Sequence, residues 1–128
     1  MPPPPPIRVL IVDDHEILRM GLSLFLETQD DFMLVGEAEN GQQAVDLVDQ
    51  LEPDAVLMDI MMPVMDGITA TSIITQKHPE IVVVMLTSSF TGGREQEARE
   101  AGARDYMRKN VSGEVIVETI RAALRQSI

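Results

Sequence analysis

The sequence predicts an α/β fold, a five-stranded parallel sheet with helices on both faces, and three observations carry that expectation. Short β-rich runs alternate with stretches of helical period along the chain from Ile7 onward. Two of these runs, "VLIV" at 9–12 and "AVLM" at 55–58, are apolar at every position, as strands covered on both faces must be. Prolines fall between the runs rather than inside them.

Taken in order, "PPPPP" at 2–6 donates no backbone hydrogen bond and favours an extended conformation, so 1–6 is expected to be a tail ahead of a single domain spanning 7–128. Prolines alone are a compositional signal, and a plain extension is favoured over a ligand for a proline-binding partner. "IRVLIV" (7–12) is the first expected strand. Met20 and Leu24, with Leu22, Phe25 and Leu26, supply a helical stripe expected to lie on the sheet, less cleanly than the later ones. "FMLVGEA" (32–38) follows as a strand. "ENG" at 39–41 resembles a hairpin turn, but helical period follows it, so Asn40 is read as a helix start. Ala44, Leu47, Val48 and Leu51 then form one stripe. Pro53 and Pro79 each stand after a helical stretch and just before a strand, "DAVLMDI" (54–60) and "IVVVML" (81–86) respectively. "ARDYMRK" (103–109) is the fifth strand, Ser112 a candidate cap, and Ile116, Ile120, Ala123 and Leu124 the stripe of the last helix. Right-handed crossovers leave few topologies for five such units, and the flavodoxin-like order 2-1-3-4-5 is the common one.

Composition narrows the chemistry. With 128 residues, 45% of them apolar, the chain can build one continuous core. The absence of cysteine excludes disulfides and thiolate metal sites, and it fits a reducing compartment, with the cytoplasm as the expected location. No apolar run approaches the ~20 residues that cross a bilayer, and no signal-peptide pattern opens the chain, so a soluble protein with no membrane role is expected. A net charge of −11 repels a phosphate backbone, which argues against direct nucleic-acid binding and in favour of a bound cation.

In an open sheet of this order, ligands bind beyond the carboxyl ends of the strands, between strands one and three. Strand one ends in Asp13 and Asp14, strand three in Asp59, strand four in Thr87 and strand five in Lys109. Three converging carboxylates repel one another unless a cation sits among them, and hard oxygen ligands suit Mg²⁺, with Mn²⁺ as the alternative. Mg²⁺ uses only one or two carboxylates, which leaves an oxygen of Asp59 free as a nucleophile. A hydroxyl from Thr87 and the ammonium of Lys109 beside it complete the equipment for phosphoryl transfer to an aspartate. Any one of these residues read singly is a turn, cap or solvated side chain, and only the joint pattern points to a site. His15 and His78 lack ligand spacing and are read as structural, and Tyr106 by itself reads as edge-strand packing.

"VLIVDDHEILRMGL", "PDAVLMDIMMPVMDG", "VVMLTSS" and "AGARDYMRKN" occur in an order that resembles the receiver domain of bacterial two-component response regulators, a CheY-like three-layer sandwich. "VDDHE" and the "GARDYMRKN" ending most resemble its NarL/FixJ-type subgroup, whose members regulate transcription. The resemblance implies that Asp59 accepts a phosphoryl group from a sensor histidine kinase or a small donor. It also implies that Asp14, Asp59 and the backbone carbonyl of Met61 bind Mg²⁺ directly, and that Asp13 acts through water. Thr87 and Tyr106 match the pair that reports phosphorylation to the face formed by helix four, strand five and helix five, and Lys109 matches the phosphate-binding lysine. On this view the domain assists its own phosphorylation and dephosphorylation without being an enzyme on other substrates.

Three departures stand out. Asn110 follows Lys109 where many receivers have proline, so no cis peptide is expected there. "TGGREQEAREAGA" (91–103) offers helix four little to bury, so that helix is expected to be short or mobile, which weakens the usual output surface. The subgroup's helix-turn-helix domain is absent from this chain, so DNA binding is not carried over, and a shortened chain is favoured over a natural single-domain regulator. Homodimerisation is expected through helices one and five or through the output face, strengthened by phosphorylation, with Val115 and Val117 widening the last helix's apolar stripe. Two other readings weigh less. An aspartate-nucleophile phosphatase of the haloacid-dehalogenase type has a second acid where this chain has Met61, and a degenerate receiver would not retain the complete acidic set.

Overall fold

Strands and helices alternate without exception in the computed structural model, which describes residues 2–87 and 94–126. The elements are β1 (Ile7–Val12), α1 (Glu16–Glu27), β2 (Phe32–Ala38), α2 (Gly41–Leu51), β3 (Ala55–Met58), α3 (Gly67–Lys77), β4 (Val82–Thr87), α4 (Arg94–Glu100), β5 (Asp105–Arg108) and α5 (Gly113–Arg125). The five strands form one parallel sheet in the order β2-β1-β3-β4-β5, as the crossover rule predicts. β1 starts at Ile7, and Pro2 to Pro5 ahead of it are exposed.

Side chains of a strand alternate between faces, and here the alternation sorts the core into two layers. Leu10, Val12, Val56, Met58, Val83 and Met85 meet residues of α2, α3 and α4 such as Val48, Ile74 and Ala98. Val9, Ile11, Leu57, Val82, Val84 and Leu86 meet Leu22 and Leu26 of α1 and Ile116 and Ile120 of α5. Every residue of β3 and β4 is buried, which explains why those segments read as unbroken apolar runs.

Helix starts follow side-chain chemistry. Asn40 accepts the Gln43 amide at 2.9 Å and Ser112 the Val115 amide at 3.3 Å, so both sequence-predicted caps are present. Asp66 caps α3 by accepting the Thr69 amide at 2.7 Å, a start that reads in the sequence as part of a turn. α4 has seven residues and buries only Ala98, matching the short helix expected there, while Ser88, Ser89 and the Thr91-Gly92-Gly93 stretch lie outside the described residues.

Two expectations about packing are corrected. Met20 and Leu24 do not lie on the sheet: they are 56% and 59% exposed, and with Ile17 they form an outward stripe on α1. Leu22 and Leu26 bury the inward face instead, each contributing about 2 kcal/mol by burial. α1 carries apolar residues around most of its circumference, and the sheet selects one side. Val117 likewise faces the core at 2% exposure, so on α5 only Val115, at 47%, extends the outer apolar surface.

α5 is fastened to the loop before β2 by one arginine. Arg121 grips both carboxylate oxygens of Asp31 at 2.8 and 2.9 Å, bonds Glu118 at 3.1 Å and lies over the Phe32 ring. Hydrogen bonding to Arg121 holds the Asp31 carboxyl below its ordinary pKa.

Candidate functional site

The backbone ladder brings the acidic residues together one step past the strands. Val12 pairs with Met58, so the next residues, Asp13 and Asp59, emerge side by side at the carboxyl edge. The Asp59 amide donates to the Val12 carbonyl at 2.9 Å, and the Asp13 amide to the Ala38 carbonyl at 3.0 Å, so neither aspartate can swing on a loose loop. β4 carries Thr87 to the same edge, where it is buried, and the Lys109 amide donates to its carbonyl at 2.8 Å.

Lys109 closes the constellation. Its ammonium stands 2.6 Å from Asp13 Oδ2 and 3.2 Å from Asp59 Oδ2. Both carboxylates are buried at 3% exposure, and the lysine is nearly so at 10%. The Asp59 contact is an ion pair rather than a well-directed hydrogen bond, and its Oδ2 is buried without a hydrogen-bond partner. Burial pushes the Asp59 carboxyl above its ordinary pKa, the charge of Asp13 adds to the rise, Lys109 opposes it, and Asp14 adds again. One ammonium therefore spans two of the three carboxylates gathered here.

His15, set aside on sequence spacing, enters this cluster. Its Nδ1 lies 2.9 Å from Asp13 Oδ1 and 3.3 Å from Asp14 Oδ1, and its backbone amide donates to Asp13 Oδ1 at 2.8 Å. Asp13, Asp14, His15 and Asp59 each offer a ligand atom within 4.8 Å of the others, so the donor set is three hard carboxylates and one imidazole. Arg19, also missed, anchors the loop from behind by donating to the Asp13 carbonyl while its Nε meets Glu37 at 3.3 Å. Both follow the acidic pair in the same loop and helix turn, a proximity that the search for spaced ligand motifs passes over.

Gly67 shapes the other wall. Its amide donates to the Ile60 carbonyl at 2.8 Å, and a Cβ there would overlap the Asp59 carbonyl oxygen. The chain thus turns back so that the start of α3 packs against the main chain of Asp59, and "DG" at 66–67 joins a cap to a close approach. Val64 in the same loop sits at φ 69°, a left-handed conformation that β-branched residues seldom adopt.

His78 lies outside this cluster. Met61 is 61% exposed, and it occupies the position where a second acid would stand in the phosphatase reading. Tyr106 pairs with Met85 in the β4–β5 ladder and packs half-buried against the core layer of α2, α3 and α4. His78 bonds Asp49 of α2 at 2.8 Å. No peptide bond is cis among the described residues, in line with Asn110 after Lys109. Among those residues no helix is long and apolar enough to cross a membrane.

Fold and site together define a flavodoxin-like α/β module with an acidic cluster at the switch point between β1 and β3. The chain belongs to the response regulator receiver domain family, which matches residues 9–121. It is 44% identical over 121 residues to the transcriptional regulatory protein YdfI of Bacillus subtilis, covering 94% of this chain and 56% of that protein. The chain thus spans about half the length of the curated relatives it matches. The signal receiver domain of the putative response regulator NarL from Mycobacterium tuberculosis superposes with a TM-score of 0.90 at 26% identity, covering 95% of this chain and 98% of that one. A chain of the CheX–CheY–BeF3–Mg²⁺ complex from Borrelia burgdorferi superposes at 0.85 with 26% identity, covering 92% and 89%. These relatives bear out the NarL/FixJ-type resemblance and the receiver fold, a regulatory module of two-component systems.

Proposed function

We propose that this chain is a phosphorylation-dependent switch in which Asp59 accepts a phosphoryl group from a sensor histidine kinase. The observation that carries the reading is the Asp59 carboxylate itself: buried, fixed at a strand end, and set against Lys109 and two further carboxylates. An Asp59 oxygen attacks phosphorus, the bond from phosphorus to the donor's imidazole nitrogen breaks, and the leaving imidazole takes up a proton, giving an acyl phosphate. Lys109 reaches from Asp59 toward the incoming phosphoryl oxygens, and the Thr87 hydroxyl donates to one of them.

The pocket fits Mg²⁺, or Mn²⁺ in its place, because three of its four donor groups are hard carboxylates and Asp59 Oδ2 has no hydrogen bond to satisfy it. Asp14, Asp59 and the Met61 carbonyl would hold the ion directly, with Asp13 acting through water. When bound, the ion supplies positive charge beside the phosphoryl oxygens. The complex of a similar receiver with BeF3 and Mg²⁺ supports this reading.

Phosphorylation then shifts a two-state equilibrium read by Thr87 and Tyr106 and changes affinity for a partner or a second copy, in the cytoplasm and in the service of transcription. The outward stripe of Ile17, Met20 and Leu24 on α1 and Val115 on α5 are surfaces available to such association. Residues 7–128 form the receiver, and 1–6 a tail. Intact-mass measurement after treatment with a small phosphodonor tests the reading. One phosphoryl group should appear with Mg²⁺, little without it, and none in Asp59→Asn. Equal labelling of that variant overturns the assignment. Sedimentation should show more dimer after phosphorylation, and unchanged monomer fractions count against the coupling.

A further inference from the structure

We infer that Arg19 is a positioning residue for the cation that the acidic pocket takes up: it fixes the peptide group between Asp13 and Asp14 and so sets where the Asp14 carboxylate stands. The inference rests on the reading of this pocket as a cation site, and it concerns affinity for the ion rather than the transfer step.

Asp13 and Asp59 are held by contacts of their own. The Asp13 amide donates to the Ala38 carbonyl at 3.0 Å and the Asp59 amide to the Val12 carbonyl at 2.9 Å, and Lys109 meets both carboxylates. Asp14 lies past the end of β1 and is held more loosely. Its side chain is 34% exposed, and its carboxylate meets at 3.3 Å a His15 ring that is itself 62% exposed. Its direction is therefore set by the backbone, and the peptide group that leads into Asp14 begins at the Asp13 carbonyl. That carbonyl accepts a hydrogen bond from the Arg19 guanidinium.

The surroundings of Arg19 keep that bond in place. Its side chain is 15% exposed, and its Nε meets Glu37 Oε1 at 3.3 Å. Glu37 pairs with Ile11 in the β1–β2 ladder and precedes Ala38, whose carbonyl takes the Asp13 amide. One rigid fork thus ties the turn after β1 to the end of β2, which a single ammonium does not reproduce. Helix stability does not account for the residue, because a cation near the amino end of α1 opposes the helix dipole. Without the charged donor the Asp13 carbonyl must find another partner, and the peptide that turns to reach it carries Asp14 away.

Mg²⁺ titrated into the full chain provides the test, together with phosphorylation by acetyl phosphate followed by intact mass as Mg²⁺ is raised. Arg19→Met keeps much of the side chain's length and removes its donors. Its Mg²⁺ Kd should rise about tenfold, the low end of what metal sites lose when a group behind a ligand is removed. Its phosphorylation rate at saturating Mg²⁺ should match wild type, since Asp59 is held independently. Arg19→Lys, which keeps one donor of the fork, should weaken Mg²⁺ binding by about threefold. A wild-type Kd in folded Arg19→Met, or in Arg19→Lys where the methionine variant does not fold, overturns the inference, whatever either variant loses in urea stability. A rate that stays low at saturating Mg²⁺ also overturns it, because Arg19 would then act on Asp59. Wild-type protein that binds no Mg²⁺, or binding indifferent to both Asp14→Ala and Asp59→Asn, overturns the cation site itself and this inference with it.

Discussion

Replacing Gly67 by alanine sets a methyl group against the back of the candidate phosphoacceptor. The added carbon would overlap the Asp59 carbonyl oxygen and stand 2.8 Å from its carbonyl carbon and 2.9 Å from Met58 Cγ, where ordinary contact begins at 3.4 Å. The crowded atoms include main chain, and they cannot yield cheaply. The Asp59 amide is bonded to Val12 and the Gly67 amide to Ile60, so relief must break a ladder bond or lift the start of α3. Overpacking in a tight core costs about 1–3 kcal/mol, and the rigidity here places Gly67→Ala at or above the upper end. Displacing Asp59 by a fraction of an ångström also misaligns it with Lys109, and phosphoryl transfer should slow at least tenfold by the sensitivity of such reactions to position. Gly21→Ala is the matched control: nothing lies within 4 Å of its added carbon, and it sits mid-helix in α1. That variant should gain about 0.5–1 kcal/mol. Urea unfolding gives the stabilities, and intact mass against time gives the phosphorylation rate. A Gly67→Ala protein within ~0.5 kcal/mol of wild type and phosphorylated at its rate refutes the close-packing account of the pocket wall.

Asp59→Asn should be more stable than wild type at neutral pH. The folded carboxyl pKa is raised from 3.8, so the native state holds a proton that the unfolded chain releases, and wild-type stability falls as pH rises through the window above 3.8. The variant should lack that fall, and urea midpoints at pH 7 and at acid pH check it; equal pH slopes in both proteins contradict the burial account. Arg121→Ala should lose about 1–2 kcal/mol through its Asp31 and Phe32 contacts. Because Asp31 is held below 3.8, its share of that stability is present above this value and lost as pH falls through the lowered one, so the variant's acid limb should be flatter by calorimetry. Val64→Asn should gain about 1 kcal/mol, since Val64 is 82% exposed and held at positive φ, and thermal melts decide it.

What the sequence made legible was whatever depends on strand ends. Period-two runs set the layers, crossover handedness set the order, and together these oblige Asp13, Asp59, Thr87 and Lys109 to share an edge wherever each strand stops. β3 in fact ends at Met58, earlier than the apolar pattern suggests, yet Asp59 keeps its place because its amide continues the ladder. Helix faces were less legible. α1 offers Ile17, Met20 and Leu24 on one side and Leu22 and Leu26 on another, and period alone does not say which side meets the sheet. Loop residues were least legible. His15 lies in a turn with no repeat, and Gly67 looks like any turn glycine until the Asp59 carbonyl is seen behind it.

On the proposed function, the arrangement suits a switch better than a structural ion cluster. A buried ion pair that balanced its charges would resist change, because removing either partner leaves an uncompensated charge in low dielectric. Here the balance is incomplete: Lys109 spans Asp13 and Asp59, Asp14 is unpaired by it, and the Asp59 carboxylate is disfavoured by burial and by both neighbours. Added positive charge therefore relieves strain that the fold maintains, and the ladder bonds beneath the aspartates hold them in place while it does so. A phosphoryl group on Asp59 would move negative charge outward from the carboxylate and give Lys109 a new partner, drawing it from Asp13. The energy that moves the lysine comes from the same imbalance that makes Asp59 receptive. A lysine that remained on Asp13 after phosphorylation, by the chemical shift of its ammonium nitrogen in nuclear magnetic resonance spectra, would disconnect the two.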